Sequence, residues 1–161
     1  MLTGAGEAIR LWAVNHIGAI SRTRSERLGP LIHTGPFALV RNPLYIGNIL
    51  VWVGFAVTAR LLWLAPIILI LLALEYHAIV KWEEALLESR HGQPYRDYLT
   101  RVPRWAPSFQ RLFITKPQRT LRDLRGLRGF VMSCRATLFS ERGTLLAIAA
   151  GYFLLWLKAR F

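Results

Sequence analysis

The sequence has a single cysteine, Cys134. An intrachain disulfide is therefore excluded, and so is a cysteine metal site. The thiol is read as buried or idle, and no metal site is expected. Acid is scarce as well: 9 Asp and Glu face 21 Lys and Arg, for a formal net charge of +12. No internal repeat or low-complexity tract is visible. The opening MLTGAGEAIR lacks the pattern of a signal peptide, because its charges follow the apolar residues and no long apolar core appears.

What the chain does have is apolar sequence. Hydrophobic residues make up 53% of its 161 residues, and the mean hydropathy is +0.32. A soluble domain this apolar is seldom also this basic. Apolar spans flanked by cationic loops give both properties at once.

Residues 2–20, LTGAGEAIRLWAVNHIGAI, read as a helix interrupted by Glu7, Arg10, Asn15 and His16. Alone it is a poor span; it suits the interface or the inside of a bundle. Residues 21–43 form a basic loop rich in Gly and Pro, where little regular structure is expected. Residues 44–59 and 61–80 are strong apolar runs, about 24 and 30 Å long as helices. The second fits the hydrocarbon core and the first a thinner one. Arg60 between them marks a tight turn. Pro66 falls in the first turns of the second run, where its missing N–H costs least. Neither run shows a polar face before Glu75 and His77, which favours a membrane hairpin over 44–80 rather than two soluble core helices.

Beyond the hairpin, KWEEALLESR reads as helical, Gly92 as its stop, and PYRDYL as a short helix. Residues 108–142 are dense in arginine, with Leu121, Leu124, Leu127 and Phe130 at one-turn spacing. Such a basic amphipathic segment suits an anionic lipid surface, with no nucleic acid expected as partner. The closing apolar stretch TLLAIAAGYFLLWL spans, re-enters or packs on the bundle; Lys158 and Arg160 at its end favour a span. Residues 81–142 carry 13 Lys/Arg against 6 Asp/Glu, and 21–43 carry four Arg against Glu26. Both basic segments flank the hairpin on one side, which is expected to be cytoplasmic. The expected fold is all-α: an integral membrane helical bundle over 1–107 with a transmembrane hairpin and a basic cytoplasmic cap. An interfacial segment (108–142) and an apolar helix (143–161) follow.

A hairpin returns the chain to the side it left. Arg41, Asn42 and Tyr45 are therefore expected beside Lys81, Glu83 and Glu84. Such a cluster at the bilayer boundary is either a site or an ion pair, Arg41 with Glu83 or Glu84, that anchors the hairpin. It suits a polar ligand approached from water and an apolar one approached from lipid.

TGPFALVRNPLYIGN resembles the segment around the Arg-His-Pro-x-Tyr-x-Gly motif of isoprenylcysteine carboxyl methyltransferases and phospholipid N-methyltransferases. EEALLESRHGQPYRDYLTRVPRWAP resembles their C-terminal segment: a Glu-Glu pair, a Gly, two tyrosines three apart, then Arg-Val-Pro. GEAIRLWAVNHIG is similar to the helix before the cofactor loop in the carboxyl methyltransferases. The resemblance covers residues 6–107 and rests on both motifs in order, separated by one hairpin. It implies a small helical membrane enzyme using S-adenosylmethionine on a lipophilic acceptor. Carried over, it places Gly29, Pro30, Leu31, Ile32, Phe37, Asn42, Tyr45 and Glu83 at the cofactor, in segments 29–47 and 81–105.

Chemistry supports those residue types. The loop 29–32 lends backbone groups to a polar cofactor. Phe37 can pack on an adenine or near a sulfonium. Glu83 can accept from an ammonium or from ribose hydroxyls, and Arg41 can pair with a carboxylate of the cofactor or with Glu84. Asn42 offers an amide where the family has an imidazole. Methyl transfer is mainly a positioning problem, since the sulfonium is a good leaving group. A carboxylate acceptor is already ionised at pH 7, whereas an amine or thiol needs a proton acceptor. Arg41 and Glu84 are the catalytic candidates, with His77 as a second proton acceptor.

Two departures bear on the acceptor. Asn42 replaces the motif His. Ile79 stands where the carboxyl methyltransferases carry an Arg one turn before the Glu pair, which leaves a prenylcysteine carboxylate doubtful as the acceptor. A sterol-type membrane reductase using a nicotinamide cofactor is the nearest rival. It commonly places an acid after the motif Gly and an Asn before the Tyr, where this chain has Asn48 and Leu44. A non-catalytic membrane protein with a degenerate site is the other. Trp52, Trp63 and Trp156 read as lipid-facing anchors, and Tyr95, Tyr98, Trp82 and Trp105 as packing of the cap. His33 and His91 read as solvated and His16 as a packing residue.

Overall fold

A computed structural model describes residues 1–17, 31–107 and 126–160, the last stretch with side chains from Thr137 onward. Gly29, Pro30 and the side chains of Leu121, Leu124, Leu127, Phe130 and Cys134 lie outside what is described. The chain forms six helices there: α1 (Leu2–Ile17), α2 (Pro36–Leu39), α3 (Pro43–Thr58), α4 (Leu64–His91), α5 (Gln93–Arg101) and α6 (Gly126–Arg160). No strand occurs among the described residues. The protein is an all-α membrane bundle.

α3 and α4 form the expected hairpin. Pro43 opens α3, where a missing N–H is harmless. The turn is at Arg60, the one non-glycine described with positive φ (59°). Arg60 N–H donates to Val57 O (3.0 Å) and Leu61 N–H to Ala56 O (2.9 Å), which closes the reversal. Pro66 is the third residue of α4. α4 does not break where its composition turns from apolar to charged near Val80. It runs 28 residues to Gly92, whose φ of +57° ends it. A helix of that length is about 42 Å, longer than a hydrocarbon core of about 30 Å, so its last turns project from the membrane.

α1 packs inside the bundle, against α3. A Cβ added to Gly6 would sit 2.6 Å from Gly47 O, and one added to Gly47 would sit 2.8 Å from Gly6 O. At the far end Gly54 meets the Thr3 backbone in the same way. Small residues let the two backbones touch, the packing mode that lipid rewards.

α6 lies along α1 and α3. Asn15 accepts from Thr137 (3.4 Å), Arg10 meets Glu141 (2.5 Å), and Thr3 shares a hydrogen bond with Tyr152 (2.7 Å). α6 therefore runs antiparallel to α1. Residues 137–160 meet the length and composition of a membrane span, as does α4. One helix passes unbroken through residues 142–143, where the sequence suggests a change from interfacial segment to apolar helix. Its polar residues Thr137 and Glu141 are buried against α1 and do not end it.

Large apolar side chains face outward on both long helices, Ile70, Leu71 and Leu74 on α4 and Leu146, Phe153 and Leu154 on α6. Trp52, Trp63 and Trp156 are exposed too, as lipid-facing residues should be.

Candidate functional site

The polar cluster sits where α3 begins and α4 leaves the apolar region. Pro43 keeps Asn42 out of the helical conformation (φ −124°, ψ 57°), so α3 starts abruptly at the proline. The chain just before it is clamped by the stretch after α5. Arg41 N–H donates to Pro103 O (2.9 Å), and the Asn42 amide donates to Arg104 O (3.3 Å). Tyr98 on α5 donates its buried hydroxyl to Phe37 O (2.8 Å). Tyr95, Tyr98 and Val102 form a small core on which Leu31, Leu87 and Leu99 pack. The loop, α3, α4 and α5 thus converge on one cap.

The two neighbouring carboxylates do different work because 100° of helix separates them. Glu84 faces the clamp. Arg41 Nη1 lies 2.9 Å from Oε1, Arg104 Nε 3.1 Å from the same oxygen, and Arg104 Nη2 2.5 Å from Oε2. Glu83 faces α3, where the Tyr45 hydroxyl donates to Oε1 at 2.9 Å. The Tyr45 ring in turn packs on Tyr76, centroids 4.7 Å apart.

Of the residues expected at the cofactor, the structure gathers Leu31, Phe37, Asn42, Tyr45 and Glu83 around this cap, with Arg41 and Glu84 beside them. Phe37 is buried, and its carbonyl belongs to the clamp. Both Glu84 oxygens are occupied by two guanidiniums, so Glu84 serves the structure as the anchor. Arg41 keeps one buried donor, Nε, with no partner. An orphaned donor of this kind fits the carboxylate of an amino-acid-bearing cofactor, and Glu83 fits its ammonium or ribose.

Other expectations are corrected. His77 is exposed on α4, away from the buried Tyr76 and Val80, and is not part of the cluster. Trp82 is 63% exposed and does not pack the cap, whereas Tyr95 and Tyr98 do. His91 is half-buried, and its Nε2 is buried with no partner rather than solvated. His16 packs as expected: Nδ1 lies 2.9 Å from Trp12 O, and the ring fills the space a Cβ at Gly35 would need. Burial raises both cap tyrosines, Tyr95 to about 12 and Tyr98 further. Both are neutral phenols at physiological pH.

Sequence reasoning missed Arg104 as the second partner of Glu84. It also missed a polar node inside the bundle around Arg10. Glu7, Arg10 and Glu141 each interrupt apolar sequence, and charges so placed must find one another.

Residues 1–94 match the family model described as phospholipid methyltransferase. The chain is 34% identical over 98 residues to the nickel-cobalt-cadmium resistance protein NccN of Alcaligenes xylosoxydans xylosoxydans, a match covering 61% of this chain and 43% of that protein. It is 28% identical over 98 residues to the cobalt-zinc-cadmium resistance protein CzcN of Cupriavidus metallidurans, covering 61% and 42%. The matched stretch is less than half the length of these relatives. No solved structure matches.

Proposed function

The chain belongs to the phospholipid methyltransferase family, and from that membership we propose that it is an S-adenosylmethionine-dependent methyltransferase acting on a lipophilic acceptor at the membrane. The observation that carries the reading is the Tyr45–Glu83 hydrogen bond, which joins the two motifs of the resemblance across the hairpin. When bound, the cofactor supplies an activated methyl group. Glu83, fixed by Tyr45, holds its ammonium or a ribose hydroxyl. Arg41 Nε would take its carboxylate, while Arg41 Nη1 stays on Glu84. Leu31, Ile32 and Phe37 give the apolar wall, with backbone groups of the loop from Gly29 for polar edges. Asn42, tied to Arg104 O, fixes the entry to α3.

In this reading the acceptor comes from the lipid side, past Ile79 on α4. The half-buried Ile79 offers no charge to a carboxylate, so a carboxylate acceptor finds no counter-charge at this position. The cap carries the basic segments and faces the cytoplasm, against anionic lipid. The names of the two relatives add a second proposal, that the methyl transfer serves resistance to metal cations. Growth of a deletion strain on nickel, cobalt and cadmium salts tests it.

The direct test is calorimetry on the purified protein in detergent. S-adenosylmethionine or its demethylated product, S-adenosylhomocysteine, should give saturable heat. No heat at millimolar ligand, with binding of a nicotinamide cofactor instead, overturns the reading in favour of a reductase.

A further inference from the structure

Arg10 on α1 is the centre of a polar node within the bundle. It meets Glu7 on its own helix (3.2 Å), Glu141 (2.5 Å) and Thr144 (3.2 Å) on α6, and the side-chain oxygen of Asn48 on α3. Asn48 in turn neighbours the phenol of Tyr76 on α4. Tyr76 packs on Tyr45, and Tyr45 donates to Glu83. An unbroken run of contacts leads from α6, through α1, α3 and α4, to the carboxylate at the cap.

The composition of this run sets it apart from ordinary packing. Charges inside a membrane bundle are costly unless they are paired, so Arg10 and Glu141 hold each other in place. A buried network with its members mutually bonded holds each of them more firmly than separate bonds do. The guanidinium fork is planar and bonds in fixed directions, so it dictates the orientation of the Asn48 amide. α6 begins at Gly126, beyond the family match, which ends at residue 94. Two more polar bonds, Tyr152 with Thr3 and Thr137 with Asn15, also hold α6 to α1 but lead to no cap residue.

We propose that Glu141 is a positioning residue for Glu83: it holds Arg10, Arg10 holds Asn48, and Asn48 sets Tyr76 and with it Tyr45. The C-terminal helix is thereby a working part of the cofactor site. The binding arm of the test rests on the methyl-transfer reading; the exchange arm does not.

The full chain is placed in nanodiscs of phosphatidylcholine and phosphatidylglycerol, as wild type and as Glu141→Ala, Glu141→Gln and Tyr152→Phe. Hydrogen exchange without ligand reports on residues 43–50 and 80–87. Glu141→Ala should raise exchange in both stretches and weaken S-adenosylhomocysteine binding about three- to tenfold, the usual size of such coupling. Glu141→Gln keeps an oxygen for Arg10 and should restore most of both. Tyr152→Phe should loosen α6 alone. In a Tyr45→Phe background the binding effect of Glu141→Ala should vanish. Unchanged exchange over 43–50 and 80–87 in Glu141→Ala, or an equal effect from Tyr152→Phe, overturns the proposal. Should Glu141→Ala fail to accumulate, Asn48→Leu cuts the same run and is judged by the same exchange criterion. A wild type that binds no S-adenosylhomocysteine sinks the methyltransferase reading, and the exchange result then decides this inference alone.

Discussion

Tyr45 and Glu83 lie 38 residues apart in sequence, and their side chains meet at 2.9 Å. The hydroxyl restrains one carboxylate oxygen where the membrane hairpin opens toward the cap. Glu84, the next residue, is spent on two arginines. Substitutions at the two positions should therefore fail in different ways.

Glu83→Ala should abolish cofactor binding with little loss of folded protein. Tyr45→Phe keeps the carboxylate but frees it. A hydrogen bond to a charged group contributes about 1.5–3 kcal/mol, so cofactor affinity should fall by about tenfold or more. Calorimetry with S-adenosylhomocysteine, read beside the elution profile of each variant, separates the two losses. Normal binding by Glu83→Ala would show that the residue is wrongly placed at the cofactor.

Glu84→Ala should instead cost stability. It leaves Arg41 and Arg104 facing each other without their shared anion, at a site where Arg41 is 15% and Arg104 29% exposed. Breaking a fully buried pair costs about 3–5 kcal/mol; residual solvent reduces this to about 2 kcal/mol here. Thermal unfolding in detergent should show a clear drop, with Arg104→Ala falling less than Glu84→Ala. An unchanged midpoint for Glu84→Ala would remove its role as anchor.

The contact of α1 with α3 makes a steric prediction. Gly6→Leu drives a side chain into Gly47 O and Val51 N, both backbone atoms that cannot step aside. Folded protein should be lost. Gly4→Leu, on the same helix with nothing within 4 Å of its would-be Cβ, should be tolerated. Equal yields for the two variants would argue that α1 does not sit against α3.

The cap should open at alkaline pH. Burial raises Tyr95 to about 12 and Tyr98 further, against about 10 for a solvated phenol. Because the folded values are the higher ones, the unfolded chain releases these protons first as pH rises. The stability they lend is complete below about pH 10 and declines above it, through about 12. Tyrosinate absorbance should therefore rise late and together with loss of cap structure. Tyr98→Phe leaves Phe37 O without its donor, a cost of about 1 kcal/mol near neutral pH, but it removes one titrating phenol, so stability should fall less steeply above about pH 10.

The hairpin was legible because composition alone draws it: two apolar runs, one charge at Arg60, and a proline where each arm starts. The end of α4 was half legible. Gly92 reads as a stop, but the change near Val80 reads as a boundary and is only a change of solvent along one helix. Successive glutamates cannot be told apart in a string of letters, and the helix rotation that sends Glu83 to Tyr45 and Glu84 to Arg41 and Arg104 requires the neighbours. The place of α1 was hidden for a different reason. Its interruptions make it a poor span alone, and the partner that relieves Arg10 lies 131 residues away, on a helix with no motif of its own.

The unequal arms of the hairpin have a geometric consequence. α3 has 16 residues and α4 has 28, and both start from the same turn. At 1.5 Å per residue α3 reaches about 24 Å, the level of Val80 on its neighbour, and α4 continues for roughly another 18 Å. The foot of that overhang is a ledge, with Asn42 and Tyr45 as its floor and Glu83 as the first carboxylate on its wall. A molecule lying in the bilayer meets the ledge from below, and one dissolved in water meets it from above. The length difference between two helices thus sets the height at which lipid and aqueous chemistry can touch.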